Sequence, residues 1–410
     1  MQSIHLPYNI SVRHGHPDFF DLPWGLPLTE WKDHSLRLEE VACGLSRHPV
    51  LFVNYSGRLY ALKQLPVELA ETEYDLLVQM EGIRLPAVSP VGHVTTQTVE
   101  GPGSVLITRY LDRSLPFRSL FMSASLVRYR DHLLDAIAGL MVQLHLAGVF
   151  WGDCSLSNTL FRRDAGALRA YLVDAETAEI QPGVLPPQLR HQDLDIMEEN
   201  INGDISDLGD ADLLVGGVPP EDTGASIRLR YQNLWEEITH PITIGPEEHY
   251  KIQERIRALN SLGFSIGELS LDQGAWGGSL SVQVLVTDRN FHRDQLLELT
   301  GVEAEEMQAR QMMNEIQELK ATLSQANNRS TPLSVAAYYW LKNIYQPTLA
   351  RIQKTSGGIS DPAEVYCEVL EHKWYLSERA GRDVGHQAAV EDYLKLDQKR
   401  GSGGDSFQSG

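Results

Sequence analysis

The spacing of apolar positions divides the chain into recognisable elements. Between residues 36 and 64, SLRLEEVA, PVLFVNY and GRLYALKQL are β-branched and aromatic runs cut by turn residues, which predicts strands. Ser56-Gly57 between the last two signals a hairpin turn. After Pro66, VELAETEYDLLVQMEGI predicts an amphipathic helix with Leu69, Leu76, Leu77 and Met80 near one face. Val105 to Leu111 reads as another strand. The stretch from Ser125 to Leu146 predicts a long helix, apolar at Leu133, Leu134, Ile137, Leu140, Met141 and Leu144, with Gly148 as its stop. Two short strand-like pieces follow around Thr159–Phe161 and Tyr171–Val173, separated by the polar turn RRDAGA. Residues 186 to 240 read as helical and acidic.

The first 35 residues are rich in His, Pro and aromatics and declare no element. Two prolines and a glycine in THPITIGP mark a boundary near 240. Beyond it, EEHYKIQERIRALNSLG predicts a helix. Strands near Glu268–Leu271 and Leu280–Thr287 flank the Gly-rich AWGGS and predict a hairpin. Helix is expected from Arg293 to about Leu396. Asp361-Pro362-Ala363-Glu364 supplies a capping carboxylate, a proline at the first helical position and a glutamate three residues after the cap. His372-Lys373-Trp374-Tyr375 is expected to anchor that helix in a core, with a docking surface as the alternative. The tail RGSGGDSFQSG is expected to be disordered.

Composition narrows the class. At 410 residues the chain is long enough for two or three domains. Its 42% apolar content supports real cores. Against 35 Lys and Arg stand 55 Asp and Glu, a net charge of −20, which argues against general nucleic-acid binding and against docking on anionic membrane by charge alone. A local basic cleft or a bound divalent metal would have to supply the field for any anionic substrate. Three scattered cysteines without a CxxC fit a reduced cytoplasmic protein rather than a disulfide framework. The longest uncharged stretch, Ala136 to Gly152, is too short and polar for a membrane span and suits a buried helix.

Four pieces carry candidate chemistry. Tyr60-Ala61-Leu62-Lys63 places a lysine at the end of a strand, and Glu73 lies in the next helix. LHLAGVFWGDCSLSNTL puts Asp153 and Asn158 five residues apart after a helix end. Tyr171-Leu172-Val173-Asp174-Ala175-Glu176 puts an acid directly after a strand. Phosphoryl transfer needs charge neutralisation and alignment more than covalent help, and these residue types supply both. Each piece alone has a plainer reading. Lys63 can be a solvated strand end, and Glu71 and Asp75 are acids as plausible as Glu73. Asp153 and Asn158 can cap a turn, and Asp174 can cap a helix. Asp193 or Asp195 either braces the loop from below or lies on a solvated helix face.

Taken in order, the set resembles the protein-kinase-like superfamily. L-H-x-x-G-V-x-x-G-D-x-x-x-x-N-x-L is its most specific part. The G-D form is more similar to small-molecule and lipopolysaccharide (Kdo/WaaP-type) kinases than to eukaryotic protein kinases. The resemblance covers about residues 38 to 200. From about 240 to 400 the chain is similar to an uncharacterised bacterial C-terminal domain joined to such modules. It implies an α+β bilobal kinase-like fold, with a small β-rich N-lobe and a helical C-lobe, followed by a mostly helical C-terminal domain. The expected segments are an N-terminal segment 1–35, an N-lobe 36–111, a C-lobe 112–240, a C-terminal domain 241–398 and a tail 399–410.

The resemblance implies an ATP- and Mg2+-dependent phosphotransferase with a hydroxyl acceptor on a sugar, lipid-linked sugar, metabolite or protein. Lys63 would contact phosphate, and Glu73 would pair with it. Asp153 would be the catalytic base. Asn158 and Asp174 would bind metal, with Glu176 assisting. Thr108 to Leu111, Tyr110 included, would be the hinge that meets adenine. The phosphate loop is reduced to Gly44 with Arg47 and His48 as the charged groups beside it. Trp151 stands where a bracing histidine is usual, and Asp174-Ala175-Glu176 replaces Asp-Phe-Gly. These departures sustain a second reading, a pseudokinase-like nucleotide-binding or scaffolding module whose C-terminal domain meets a protein partner.

Overall fold

The computed structural model describes residues 8–41, 48–98, 101–117, 120, 130–210, 220–239, 242–244, 266–273, 280–286, 290–326, 329–356, 359, 361–382 and 384–401. Two compact units divide it: 1–162 with 169–240, and 163–168 with 241–410. The first holds every candidate site residue that is described. Gly44 and Arg47 lie outside the described residues.

The first unit opens with an antiparallel sheet. Its strands are β1 (Tyr8–Val12), β2 (Leu38–Glu39), β3 (Val50–Tyr55), β4 (Arg58–Leu65), β5 (Pro90–Thr98) and β6 (Gly101–Arg109), in the order β1-β5-β6-β4-β3-β2. Ser56 and Gly57 both adopt positive φ, 54° and 79°, so the β3–β4 turn has the primed twist that two-residue hairpins favour. The Asn54 side chain accepts from the Gly57 N–H at 2.9 Å and fixes it. The N-terminal segment, silent in the sequence, supplies β1 and the buried Phe19, Trp24 and Trp31, which pack on Tyr60, Leu62 and Val94. Helix α1 (Leu69–Gly82) buries Ala70, Glu73, Leu77 and Met80. An acid therefore sits in the stripe where leucine was expected.

A helical lobe follows. It contains α2 (Arg130–Leu146), α3 (Pro187–Asp210) and α4 (Pro220–Thr239), with the short strands β7 (Leu115–Pro116), β8 (Val149–Phe150), β9 (Thr159–Asp164), β10 (Ala167–Leu172) and β11 (Glu179–Ile180). The expected first turn of α2 lies outside the described residues. Gly148 ends the helix at φ 79°, and a Cβ there would meet the Gln181 carbonyl oxygen at 2.1 Å, so only glycine fits. The β8–β11 pair returns the chain beneath that turn. The result is an α+β unit, a β-rich lobe followed by a helical one.

The second unit carries a sheet of β12 (Ile242–Ile244), β13 (Ile266–Gln273) and β14 (Leu280–Val286), in the order β12-β14-β13. The expected hairpin is thus present, while the helix expected at 247–263 lies outside the described residues. Its helices are α5 (Phe291–Thr300), α6 (Glu306–Ala326), α7 (Leu333–Trp340), α8 (Gln346–Ser356), α9 (Pro362–Ala380) and α10 (His386–Gly401), with a π-helical turn at Leu341–Tyr345. Met312, Met313, Ile316, Trp340, Tyr345 and Tyr366 form its core. Asp361 caps α9 as its sequence predicts. Glu364 does not complete a capping box; it is fully buried and accepts the Ala165 and Gly166 N–H groups at 2.8 and 2.9 Å. Trp374 is 64% exposed, against the expected core anchor, because the buried positions of α9 end at Val369. No described helix is long and apolar enough to cross a membrane.

Candidate active site

Strand β4 pairs with β6 at Lys63↔Leu106 and thereby fixes the height of Lys63 in the sheet. Its ammonium reaches Glu73 Oε2 at 3.1 Å, Asp174 Oδ2 at 2.7 Å and Glu176 Oε2 at 3.6 Å. Of the three candidate acids on α1, Glu73 is buried while Glu71 and Asp75 are exposed, so burial selects the partner. Glu73 Oε1 also accepts the Ala175 N–H at 3.1 Å, tying α1 to the segment after β10. Burial, countered in part by Lys63 but reinforced by the Asp174 charge, pushes Glu73 up to about 7. Burial alone would lower Lys63, but the Glu73 and Asp174 carboxylates outweigh it and hold the ammonium charged.

Below lies the loop after β8. Asn158 donates from Nδ2 to the Asp153 carbonyl at 3.1 Å and to Asp153 Oδ2 at 3.0 Å. Asn200 donates to Asp153 Oδ1 at 3.0 Å and to the Cys154 carbonyl at 3.3 Å. Asp193 is fully buried and accepts the Trp151 and Gly152 N–H groups, each at 2.8 Å, and His145 Nε2 at 3.0 Å. Asp193 is therefore the brace, and the exposed Asp195 pairs with Arg228 on the surface instead. Because a carboxylate only accepts, His145 carries its proton on Nε2, and Nδ1 accepts from the Tyr231 hydroxyl at 2.8 Å. Burial, above all, lowers the His145 pKa. Asp204 accepts the Leu156 and Ser157 N–H groups at 2.8 and 3.2 Å and the Ser157 hydroxyl at 3.0 Å.

Trp151 takes over the brace that its position calls for. Its indole N–H donates to the Asp174 carbonyl at 2.9 Å, and its own carbonyl accepts from Thr177 Oγ1 at 2.9 Å. The loop and the Asp174 segment are thus joined without a histidine. Cys154 is buried, and burial together with neighbouring Asp193 and Asp153 pushes its thiol well up, which disfavours the thiolate.

Lys63, Thr108, Tyr110, Asp153, Asn158, Asp174 and Glu176 all line one cavity of about 730 Å³. Its upper wall is apolar, with Val50, Phe52, Ala61 and Val88. His48, beside the undescribed Arg47, lies 3.4 Å from Glu176. Glu73, Asp174 and Glu176 each present an oxygen within 4.8 Å of the others. Three carboxylates face one ammonium, an excess of negative charge that suits a cation. Sequence reasoning missed Asn200 and Asp204. The available signal was their spacing from Asp193, seven and then four residues along one helix face.

Residues 56–214 match the lipopolysaccharide kinase (Kdo/WaaP) family. Over those residues the chain is similar to that family. Residues 233–396 match a domain of unknown function, DUF4032. No curated protein matches the chain. A solved structure, "WaaP in complex with acyl carrier protein", is similar at 17% identity and a TM-score of 0.34, covering 55% of this chain and 88% of that one.

Proposed function

We propose that the kinase-like module is an ATP- and Mg2+-dependent phosphotransferase acting on a hydroxyl acceptor. The observation that carries the reading is one cavity holding a half-buried, carboxylate-anchored Lys63 together with Asp153, Asn158 and Asp174. The donor set fits the metal: the carboxylates of Asp174 and Glu176 and the amide oxygen of Asn158 are hard oxygen ligands, the kind Mg2+ takes. Asn158 turns its nitrogen to Asp153, so its oxygen is the atom left for a cation. The metal, when bound, neutralises charge on the transferred phosphoryl group.

The chain's own residues do the rest. Lys63 binds nucleotide phosphate, and Glu73 keeps it charged and aimed. The backbone from Thr108 to Leu111, at the end of β6, meets adenine beneath the apolar wall. Asp153 orients the acceptor hydroxyl and takes its proton as the new P–O bond forms and the bond from the γ-phosphorus to the bridging oxygen breaks, ADP leaving. The acceptor lies on a sugar, lipid-linked sugar, metabolite or protein.

Thermal unfolding with ATP, with and without Mg2+, tests the reading. A ligand at about 100 times its dissociation constant adds roughly 2.7 kcal/mol of stability, which is readily seen. The expected result is a Mg2+-dependent rise lost in Asp174→Ala, and ADP release sharply lowered, to a still measurable residual rate, in Asp153→Asn. Binding without ADP release or transfer points to the scaffolding alternative, and no binding at all refutes the proposal.

A further inference from the structure

Helix α3 grips the loop after β8 at three successive levels. Asp193 takes the N–H groups of 151 and 152, Asn200 takes residues 153 and 154, and Asp204 takes 156 and 157. The two outer contacts hold backbone, Asp204 taking the Ser157 hydroxyl as well. The middle one holds the side chain of Asp153. We propose that Asn200 is a positioning residue for phosphoryl transfer, setting the Asp153 carboxylate toward the acceptor hydroxyl; this rests on the transfer reading above.

Both hydrogens of the Asn200 amide are engaged, one on Asp153 Oδ1 and one on the Cys154 carbonyl. Both partners only accept, so the amide nitrogen must face them, and the side-chain orientation is specified chemically. Asn158 holds the other carboxylate oxygen from the opposite side. A carboxylate pinned at one oxygen still swings about its Cβ–Cγ bond. Held at both, it has one plane. A misplacement of about 1 Å at a reacting group costs on the order of 100-fold in rate, so this restraint bears directly on turnover. Asn158 is also the amide whose oxygen would be left to hold a metal, and Asn200 supplies an anchor that would not depend on metal occupancy. A neutral amide does this without cancelling the charge Asp153 needs to accept a proton.

The test is a double-mutant cycle on full-length protein, reading ADP release from Mg-ATP with water as acceptor. Asn200→Ala is expected to lower kcat by about 10- to 100-fold with KM for Mg-ATP within about twofold. Asn200→Asp keeps the shape but sets carboxylate against carboxylate, and is expected to lose at least as much. On an Asp153→Asn background, Asn200→Ala is expected to add less than about a twofold loss, because its effect runs through Asp153. A purely structural role gives losses that multiply, with weakened Mg-ATP affinity. Multiplying losses, or a kcat within twofold of wild type in both Asn200 variants, overturn this proposal alone. Wild-type protein that binds Mg-ATP but releases no ADP overturns the transfer reading and this proposal with it.

Discussion

Replacing Asp193 by alanine tests whether the loop is held from below as described. The side chain is fully buried and accepts from three donors: the Trp151 and Gly152 N–H groups at 2.8 Å and His145 Nε2 at 3.0 Å. Removal leaves all three without a partner, and each buried unsatisfied donor costs about 1–3 kcal/mol. Part of that loss is offset, since burying the carboxylate is itself costly. The expected net destabilisation is about 4 kcal/mol. Asp193→Asn keeps one oxygen but turns an NH2 toward a donor, so about half that loss is expected. Urea unfolding gives the magnitude from the midpoint shift at constant slope. Hydrogen exchange of the Trp151 and Gly152 amides gives the location: their protection should fall while that of β4 and β6 holds. A loss below about 1 kcal/mol with both amides still protected refutes the brace.

Other perturbations follow from the same geometry. Because burial lowers His145, the folded state resists its protonation; the stability it contributes is present above its ordinary value of 6.5 and is lost as pH falls, at up to about 1.4 kcal/mol per unit, so His145→Gln should flatten the Tm-versus-pH curve below pH 6.5. Glu73 has the opposite sign: its folded-state value, about 7, stands above 4.5, so the stability it contributes is full below about pH 4.5 and lost as pH rises through 7, and Glu73→Gln should gain stability relative to wild type between pH 5 and 8 while losing Mg-ATP turnover. Trp151→Phe keeps the ring but removes the donor to the Asp174 carbonyl; about 1–2 kcal/mol in urea unfolding and slower ADP release are expected, with Trp151→His the closer substitute. Gly148→Ala drives a Cβ into the Gln181 and Gly183 carbonyls at 2.1 and 2.3 Å, and a loss above about 3 kcal/mol is expected in the same unfolding assay.

What was legible in the sequence was what lies in linear order. Lys63 ends a strand whose alternation is plain, Asp153 and Asn158 share one loop, and Asp174 follows an apolar run; chain geometry alone then brings them to one cavity. Glu73 was harder, because three acids crowd one helix and only tertiary burial distinguishes them. Asn200 and Asp204 were harder still, for a different reason. Their partners lie 46 to 48 residues away, and polar residues on an acidic helix are the same pattern that a solvated face produces. Asn200 and Asp204 are half-buried polar positions that hydrophobic patterning does not register, and only their spacing from the buried Asp193 marks the face. Trp151 misled in the other direction. Read by residue type, it removes a polar brace; read by atoms, its indole N–H donates to the Asp174 carbonyl, and its ring fills a buried site besides. Loop geometry at this site is thus set by hydrogen-bond donors and their reach. Residue identity is a poor guide wherever two side chains present the same donor at the same distance, so the substituted motif positions are no evidence that the site has decayed.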